Sequence, residues 1–269
     1  MALPISIEDA DDARIQEFRN IRERDLTGRQ QRFIAEGSVV VRMLAQAHAR
    51  GRFVAEKLLI LKSRLAGLEP ILELLPEQVP VYVAEADVLD AIVGFNLHRG
   101  VLALGKHVEQ DLSMDWPKRA LVLVGCGISN HDNIGSMFRN AAAFGADAVL
   151  LDETCCDPLY RKSLRVSVGS VLSLSWKRGG TALDLLSQLS KDGFNIWALS
   201  PQGETDIRSI GGSERVALVV GTEGEGLPAE LLAGFMSARI PQAPGLDSLN
   251  VATATGIALY ALSSLMKRI

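Results

Sequence analysis

The chain has 269 residues, a formal net charge of −4, and 48% hydrophobic but only 5% aromatic residues, enough to bury one large core or two smaller ones. It contains no 18-residue uncharged apolar run, so no transmembrane helix is expected, and its acidic opening MALPISIEDADDARIQ lacks the basic-then-apolar order of a signal peptide. The three cysteines, Cys126, Cys155 and Cys156, are odd in number and show no metal-type spacing, which argues against a disulfide framework and makes the cytoplasm the expected compartment.

Residues 13–25 read as a polar helix and QRFIAEG (31–37) as a strand ending at a glycine. A helix from Ser38 to Arg50 follows, with Val39, Val40, Met43, Leu44 and Ala47 spaced for one buried stripe. VAEKLLILKS (54–63) reads as a strand, 68–76 as a helix, VPVYVA (79–84) as a strand, 86–93 as a helix and RGVLALGK (99–106) as a closing strand. Residues 1–106 thus form a small α/β domain. Its charge is uneven: residues 13–64 hold twelve Lys/Arg against five Asp/Glu, with Arg14, Arg19, Arg22, Arg24, Arg29 and Arg32 at spacings of two to five. Residues 65–95 carry six acids and no base, while 161–178 hold Arg161, Lys162, Arg165, Lys177 and Arg178 with no acid. Such faces suit phosphates, although a solvated helical face explains the charge equally well.

Residues 107–118 are polar, hold Pro117 and lack a periodic apolar pattern, so they read as a linker. From 119 to 269 strands and helices alternate. ALVLVGCG (120–127), ADAVLLDE (146–153), FNIWALS (194–200), RVALVVG (215–221) and ARIPQ (238–242) are the expected strands. NIGSMFRNAAAFGA (133–146), TALDLLSQLSKDG (181–193), PAELLAGF (228–235) and a closing run from about Ser248 are the expected helices. Continuous apolar strands between helices predict a parallel sheet covered on both faces, an α/β fold.

Several chemistries are disfavoured. GCG at 125–127 follows a strand, but Asn130 stands where a dinucleotide fingerprint needs its third glycine, and no acid about twenty positions on ends a strand as a clear ribose ligand. A nucleotide-dependent oxidoreductase is therefore a weak reading. There is no Walker A loop or GxSxG elbow, the four histidines show no ligand spacing, and no metal is expected. Cys155 and Cys156 as paired nucleophiles remain a minor alternative.

Three other stretches carry more chemistry. In the first, Asn133 stands where a helix N-cap belongs, and Gly135 allows close approach at the first turn. Arg139 lies six residues on in an otherwise apolar helix, where a guanidinium needs a partner. In the second, GTEGEGLP (221–228) is a glycine-rich turn after a parallel strand, the place where α/β sheets bind ligands. Glu223 within it reads equally as an exposed turn carboxylate. In the third, SLNVATATGIALY (248–260), Ser248 and Asn250 can cap a helix whose Ala252, Ala254, Gly256 and Ala258 admit a close neighbour.

FRNAAAFGAD (138–147), VVGTEGEGLP (219–228) and SLNVATATGIALY, in this order over about half the chain, closely resemble the motifs of the SpoU (TrmH-type) RNA 2′-O-ribose methyltransferases of the SPOUT superfamily. The resemblance implies a C-terminal parallel-sheet SPOUT catalytic domain (119–269) with a trefoil knot. GFNLHRGVLALG (94–105) resembles the end of the ribosomal-protein-like RNA substrate-binding domain (1–106) that precedes it in many members. S-adenosylmethionine as methyl donor, RNA as substrate and a homodimer with sites at the subunit interface are implied in the same way. A chain ending directly after its last helix, without a basic extension, favours rRNA over tRNA. By motif position Arg139, Asn133, Glu223, Ser248 and Asn250 form the expected catalytic set, and Gly221, Ile240 and Leu249 the cofactor-binding set. Core packing is the alternative for Ile240 and Leu249. Arg139 would position the ribose 2′-oxygen and stabilise the forming alkoxide, since its guanidinium is not readily deprotonated. Glu223 would orient Arg139, and Asn133, Ser248 and Asn250 would hold the ribose and a flanking phosphate. Asn140 and Thr222 depart mildly from the commonest pattern. The competing reading is a non-catalytic RNA-binding protein that retains the fold; the intact Arg139, Glu223, Ser248 and Asn250 argue against it.

Overall fold

The computed structural model describes residues 3–19, 31–93, 99–108, 115–211, 213–222, 224–245 and 247–269. The chain divides into two compact units, Met1–Asp111 with Leu159–Ser173 and Leu112–Pro158 with Leu174–Ile269. No helix among the described residues is long and apolar enough to cross a membrane.

The first unit is built on strands β1 (Ile5–Ile7), β2 (Arg32–Glu36), β3 (Phe53–Leu61), β4 (Val81–Ala84) and β5 (Val101–His107) in the order β1-β4-β3-β5-β2. β4 runs parallel to β1 and β3, while β5 runs antiparallel to β3 and β2. Helix α1 (Ser38–Ala49) buries Val40, Val41, Leu44, Ala45 and Ala47. Val39, expected inside, is half exposed because the buried stripe starts one position later. The expected helix over 68–76 shrinks to α2 (Glu69–Leu72), and α3 (Ala86–Val93) lies as expected. Of the helix expected over 13–25, the structure describes a 3₁₀ turn at Ala13–Phe18, with Ile15 and Phe18 buried; residues 20–30 lie outside the described residues. His107, expected to open the linker, instead closes β5, where its N–H donates to the Gln31 carbonyl at 2.8 Å.

Residues 159–173, which chain order assigns to the C-terminal domain, belong to the first unit. They hold α4 (Arg161–Val166) and a 3₁₀ turn at Ser170–Leu172. Leu164, Val171 and Leu172 are buried, Met43 of α1 covers Gly169, and Arg52 reaches the Ser173 carbonyl at 3.4 Å.

The second unit is a sheet of seven parallel strands among the described residues, in the order β10-β12-β9-β11-β6-β7-β8. They are β6 (Ala120–Gly125), β7 (Ala148–Leu151), β8 (Ser175–Arg178), β9 (Asn195–Leu199), β10 (Thr205–Asp206), β11 (Arg215–Val220) and β12 (Met236–Arg239). β6 and β7 are buried along their whole length, as strands covered on both faces must be. α5 (His131–Ala143), α6 (Ala182–Lys191), α7 (Ala229–Gly234) and α8 (Val251–Leu265) complete the unit. Val122, Val124, Ala217 and Val219 share one core with Leu186, Leu189 and Phe194. Trp116, within the expected linker, packs on Phe194 and donates its indole N–H to Asp192 at 3.0 Å, so the end of that segment is fastened to the second unit.

Candidate functional site

At the C-terminal ends of β9, β11 and β12 the loops enclose a cavity of about 350 Å³. Leu199 and Ser200 line it after β9, the turn from Gly221 to Leu227 after β11, Ile240 and Gln242 after β12, and Asp247, Ser248 and Leu249 ahead of α8. Three distant stretches meet because parallel strands present all their C-terminal loops at one edge. Gly221, Ile240 and Leu249, selected from sequence as cofactor positions, all line this cavity. Ile240 and Leu249 are half-buried where they line it.

The wall after β11 is a closed turn. The Thr222 N–H donates to the Gly226 carbonyl at 3.2 Å, and the two residues form an isolated bridge. A Cβ on Gly221 would meet the Gly226 carbonyl carbon at 2.5 Å and the Leu227 nitrogen at 2.6 Å, so the turn itself requires glycine there. Glu223 lies outside the described residues. The cavity is apolar along Leu199, Val220, Leu227 and Leu249, with the exposed carboxylates of Glu225 and Asp247 at its rim.

Asn133 and Asn250, two more of the expected catalytic residues, come together where α5 meets α8. The N-cap of α5 is Asn130, whose side chain accepts from the Asp132 N–H at 2.8 Å; Asn133, the expected cap, lies inside the first turn and is buried. Its Oδ1 accepts from Nδ2 of Asn250 at 3.0 Å. Asn250 in turn caps α8, its Oδ1 accepting from the N–H groups of Ala252 and Thr253, so the capping role falls to Asn250 and not to Ser248. Asn140 donates to the Ala252 carbonyl at 2.8 Å and faces Gly256, where a Cβ would come 3.0 Å from its amide nitrogen. The small residues of α8 thus receive an α5 side chain.

Arg139 departs from expectation. The helix is amphipathic: Ile134, Met137, Phe138 and Ala141 face the core, and Arg139 points to solvent with no ion pair among the described residues. Solvation, not an internal partner, satisfies its charge. It does not line the cavity of its own chain.

Sequence reasoning missed Asp152, the buried residue just after β7. Its carboxylate accepts from the N–H groups of Gly127, Thr154 and Cys155 and from the Thr154 hydroxyl, at 2.8–3.2 Å. The acid therefore sits at a strand end after GCG, but its oxygens hold the loop; it is no ribose ligand. An Asp ahead of Thr is a recognisable turn signal, and it marked the loop without revealing what the loop holds. Cys155 Sγ continues the link, accepting from the Ile128 N–H at 3.3 Å. Burial pushes the Cys126 thiol up to about 12 and Cys156 up to about 11, and raises Cys155 further. Such thiols stay protonated near neutral pH, which removes the paired-nucleophile alternative.

The fold and cavity define an α/β protein with a parallel sheet whose strand ends enclose a cavity, beside a helix pair joined by asparagines. A family model, the SpoU rRNA Methylase family, matches residues 120–260. The chain is 39% identical over 269 residues to an uncharacterized tRNA/rRNA methyltransferase of Mycobacterium tuberculosis (strain ATCC 25618 / H37Rv), covering 94% of this chain and 89% of that protein. It is 31% identical over 221 residues to the 23S rRNA (guanosine-2'-O-)-methyltransferase RlmB of Escherichia coli (strain K12), covering 76% and 88%. An AdoMet-bound rRNA methyltransferase structure from Sinorhizobium meliloti shares the fold with a TM-score of 0.82 at 23% identity, covering 97% of this chain and 98% of that one. The chain belongs to the SpoU rRNA methylase family.

Proposed function

We propose that this protein transfers a methyl group from S-adenosylmethionine to a ribose 2′-hydroxyl of structured RNA, with rRNA favoured over tRNA. The observation that carries the reading is the convergence of Gly221, Ile240, Ser248 and Leu249 on one cavity at the ends of parallel strands. Its volume falls in the range of about 300–1,000 Å³ usual for small-ligand sites. The residues fit the donor: Leu199, Val220, Leu227 and Leu249 suit an adenine ring, and Glu225 and Asp247 at the rim suit a ligand with cationic groups. The relatives' names and the AdoMet-bound neighbour support the same reading.

Bound there, S-adenosylmethionine supplies a methyl group already activated on a sulfonium. The task left to the chain is alignment of the ribose oxygen. The Asn133–Asn250 bond fixes the start of α8 and with it Ser248 and Leu249 at the cavity. Ser248, exposed, offers a hydroxyl to the ribose or a flanking phosphate. Arg139 positions the 2′-oxygen and stabilises the charge that develops on it, with Glu223 as its orienting carboxylate. Because Arg139 lies outside its own chain's cavity, this reading takes the working form to be a homodimer in which Arg139 of a second copy completes the site. The groove between α5 and α8, lined by Phe144, Ile257 and Tyr260, is the proposed interface. The first unit, with residues 159–173, acts as the ribosomal-protein-like substrate-binding domain, and the second as the catalytic domain with its trefoil knot. Three free cysteines suit the cytoplasm.

The test measures S-adenosylmethionine binding by calorimetry and labelled methyl transfer to unmodified rRNA and tRNA, for wild type and Arg139→Ala. Both proteins should bind the donor, and the variant should lose about 10²-fold or more of the transfer rate, as when one charge-stabilising group is removed elsewhere. A wild type that binds RNA but no donor would overturn the reading and leave the non-catalytic alternative leading.

A further inference from the structure

Where α4 lies beside β2, arginines converge on Glu36, the last residue of that strand. Glu36 is buried at 6% exposure, and its Oε2 lies 3.7 Å from Arg161 Nε and 3.6 Å from Arg165 Nη1. Two more arginines reach the same corner of the first unit. The Arg99 side chain lies across Gly37, where a Cβ would come 2.7 Å from its Cδ, and Arg64 lies across Gly100, where a Cβ would come 2.8 Å from its Cγ. Gly37 and Gly100 are neighbours in the sheet: the Gly37 N–H donates to the Val101 carbonyl at 3.0 Å and the Leu61 N–H to the Gly100 carbonyl at 2.9 Å. Both glycines hold positive φ, +89° and +64°, and lack the Cβ that would meet the two arginines. Arg64, Arg99 and Arg165 are exposed, and Arg64 and Arg99 make no ion pair among the described residues.

We propose that this corner, with Arg64, Arg99, Arg161 and Arg165 around Glu36, is a binding surface for RNA phosphates. It rests on the methyltransferase reading only for the identity of the polyanion. Arg64 and Arg99, exposed and without an ion pair among the described residues, carry positive charge to this corner beside the exposed Arg165, and the planar fork of arginine matches a phosphate in a way a lysine does not. The buried carboxylate lies 3.6 Å from Arg165, beyond hydrogen-bond distance, so it attracts and orients that arginine without taking it as a direct hydrogen-bond partner.

The test uses fluorescence anisotropy with an unmodified 23S rRNA transcript from 50 to 300 mM KCl, on wild type, R64A/R99A and R64K/R99K, with donor binding measured in parallel. R64A/R99A leaves the Glu36 pairs intact. It should weaken RNA binding about tenfold at low salt and flatten the slope of log affinity against log salt by about 0.7–0.9 for each phosphate no longer neutralised. R64K/R99K should restore the slope and only part of the affinity, and donor affinity should not change in any variant. R165A, which spares the two glycine-covering arginines, should flatten the slope independently. Wild-type slope and affinity in R64A/R99A and R165A, with donor binding intact, would overturn the surface and leave the cavity reading standing. A flattened slope in a protein that binds no donor would keep the surface and remove the methyltransferase reading; a wild type that binds the donor but not this transcript would remove the surface and leave the cavity reading standing.

Discussion

Gly221→Ala is the sharpest perturbation of the cavity wall. The added methyl would stand 2.5 Å from the Gly226 carbonyl carbon and 2.6 Å from the Leu227 nitrogen. Those are backbone atoms, so no side-chain rotation relieves the overlap and the turn must open. Opening breaks the 3.2 Å bond from Thr222 to Gly226, worth about 1 kcal/mol. Overpacking adds about 1–3 kcal/mol, giving a loss of about 2–4 kcal/mol in the unfolding transition of the second unit. The displaced wall should cost more than tenfold in donor affinity. Two neighbours calibrate the result. Gly224→Ala meets nothing within 4 Å and should stay within about 0.5 kcal/mol of wild type. Gly226→Ala also has space, but its φ of +72° should cost about 1–2 kcal/mol. Urea denaturation and calorimetric titration give both quantities. A Gly221→Ala protein within about 0.5 kcal/mol and twofold of wild type would refute the closed turn.

The bond between the helices makes a second prediction: Asn250→Ala removes a cap and the bond to the buried Asn133, at a combined cost of about 1–3 kcal/mol in urea. A double-mutant cycle with Asn133→Ala should return a coupling of about 1 kcal/mol, and strict additivity would contradict the bond. Asp152→Ala leaves the Gly127 and Thr154 amides without their acceptor, while the Cys155 amide keeps its 3.2 Å bond to the carbonyl of residue 152, and should destabilise by about 2–3 kcal/mol, measured the same way; a neutral result would mean the loop is held by something else. With thiols raised by burial, Cys156 to about 11 and Cys126 to about 12, disulfide-reagent labelling of the folded protein should be slow at pH 7. Its rate should climb about tenfold per pH unit toward pH 11, because the thiolate is the nucleophile. Fast labelling of any one thiol at pH 7 would contradict this burial.

Legibility in the sequence followed local pattern. β6, β7 and β11 were readable because a run such as ALVLVG has one sensible home, the middle of a parallel sheet. β1 and β10, of three and two residues, have no period to detect and exist only through their partners. Asn133 was misplaced as a cap because Asn130, three residues earlier, meets the same requirement and also has Asp132 in the first turn. Chain order put 159–173 in the wrong unit, since a six-residue helix does not announce its sheet; Glu36 and Met43, more than a hundred residues earlier, decide it. At the cavity, Gly221, Ile240 and Leu249 were selected by their place in recognisable motifs, and parallel topology brings them together. Arg139 was expected to be internally paired because composition shows which residues surround it in the chain, not which face of the helix it occupies.

The most direct measurement is mass spectrometry of nucleosides from unmodified rRNA incubated with the protein and S-adenosylmethionine carrying a trideuterated methyl group. The account predicts one 2′-O-methylated nucleoside bearing the three deuteriums, absent when Arg139→Ala replaces wild type. Label on a base, or no label on rRNA or tRNA from a folded protein that binds the donor, would contradict it.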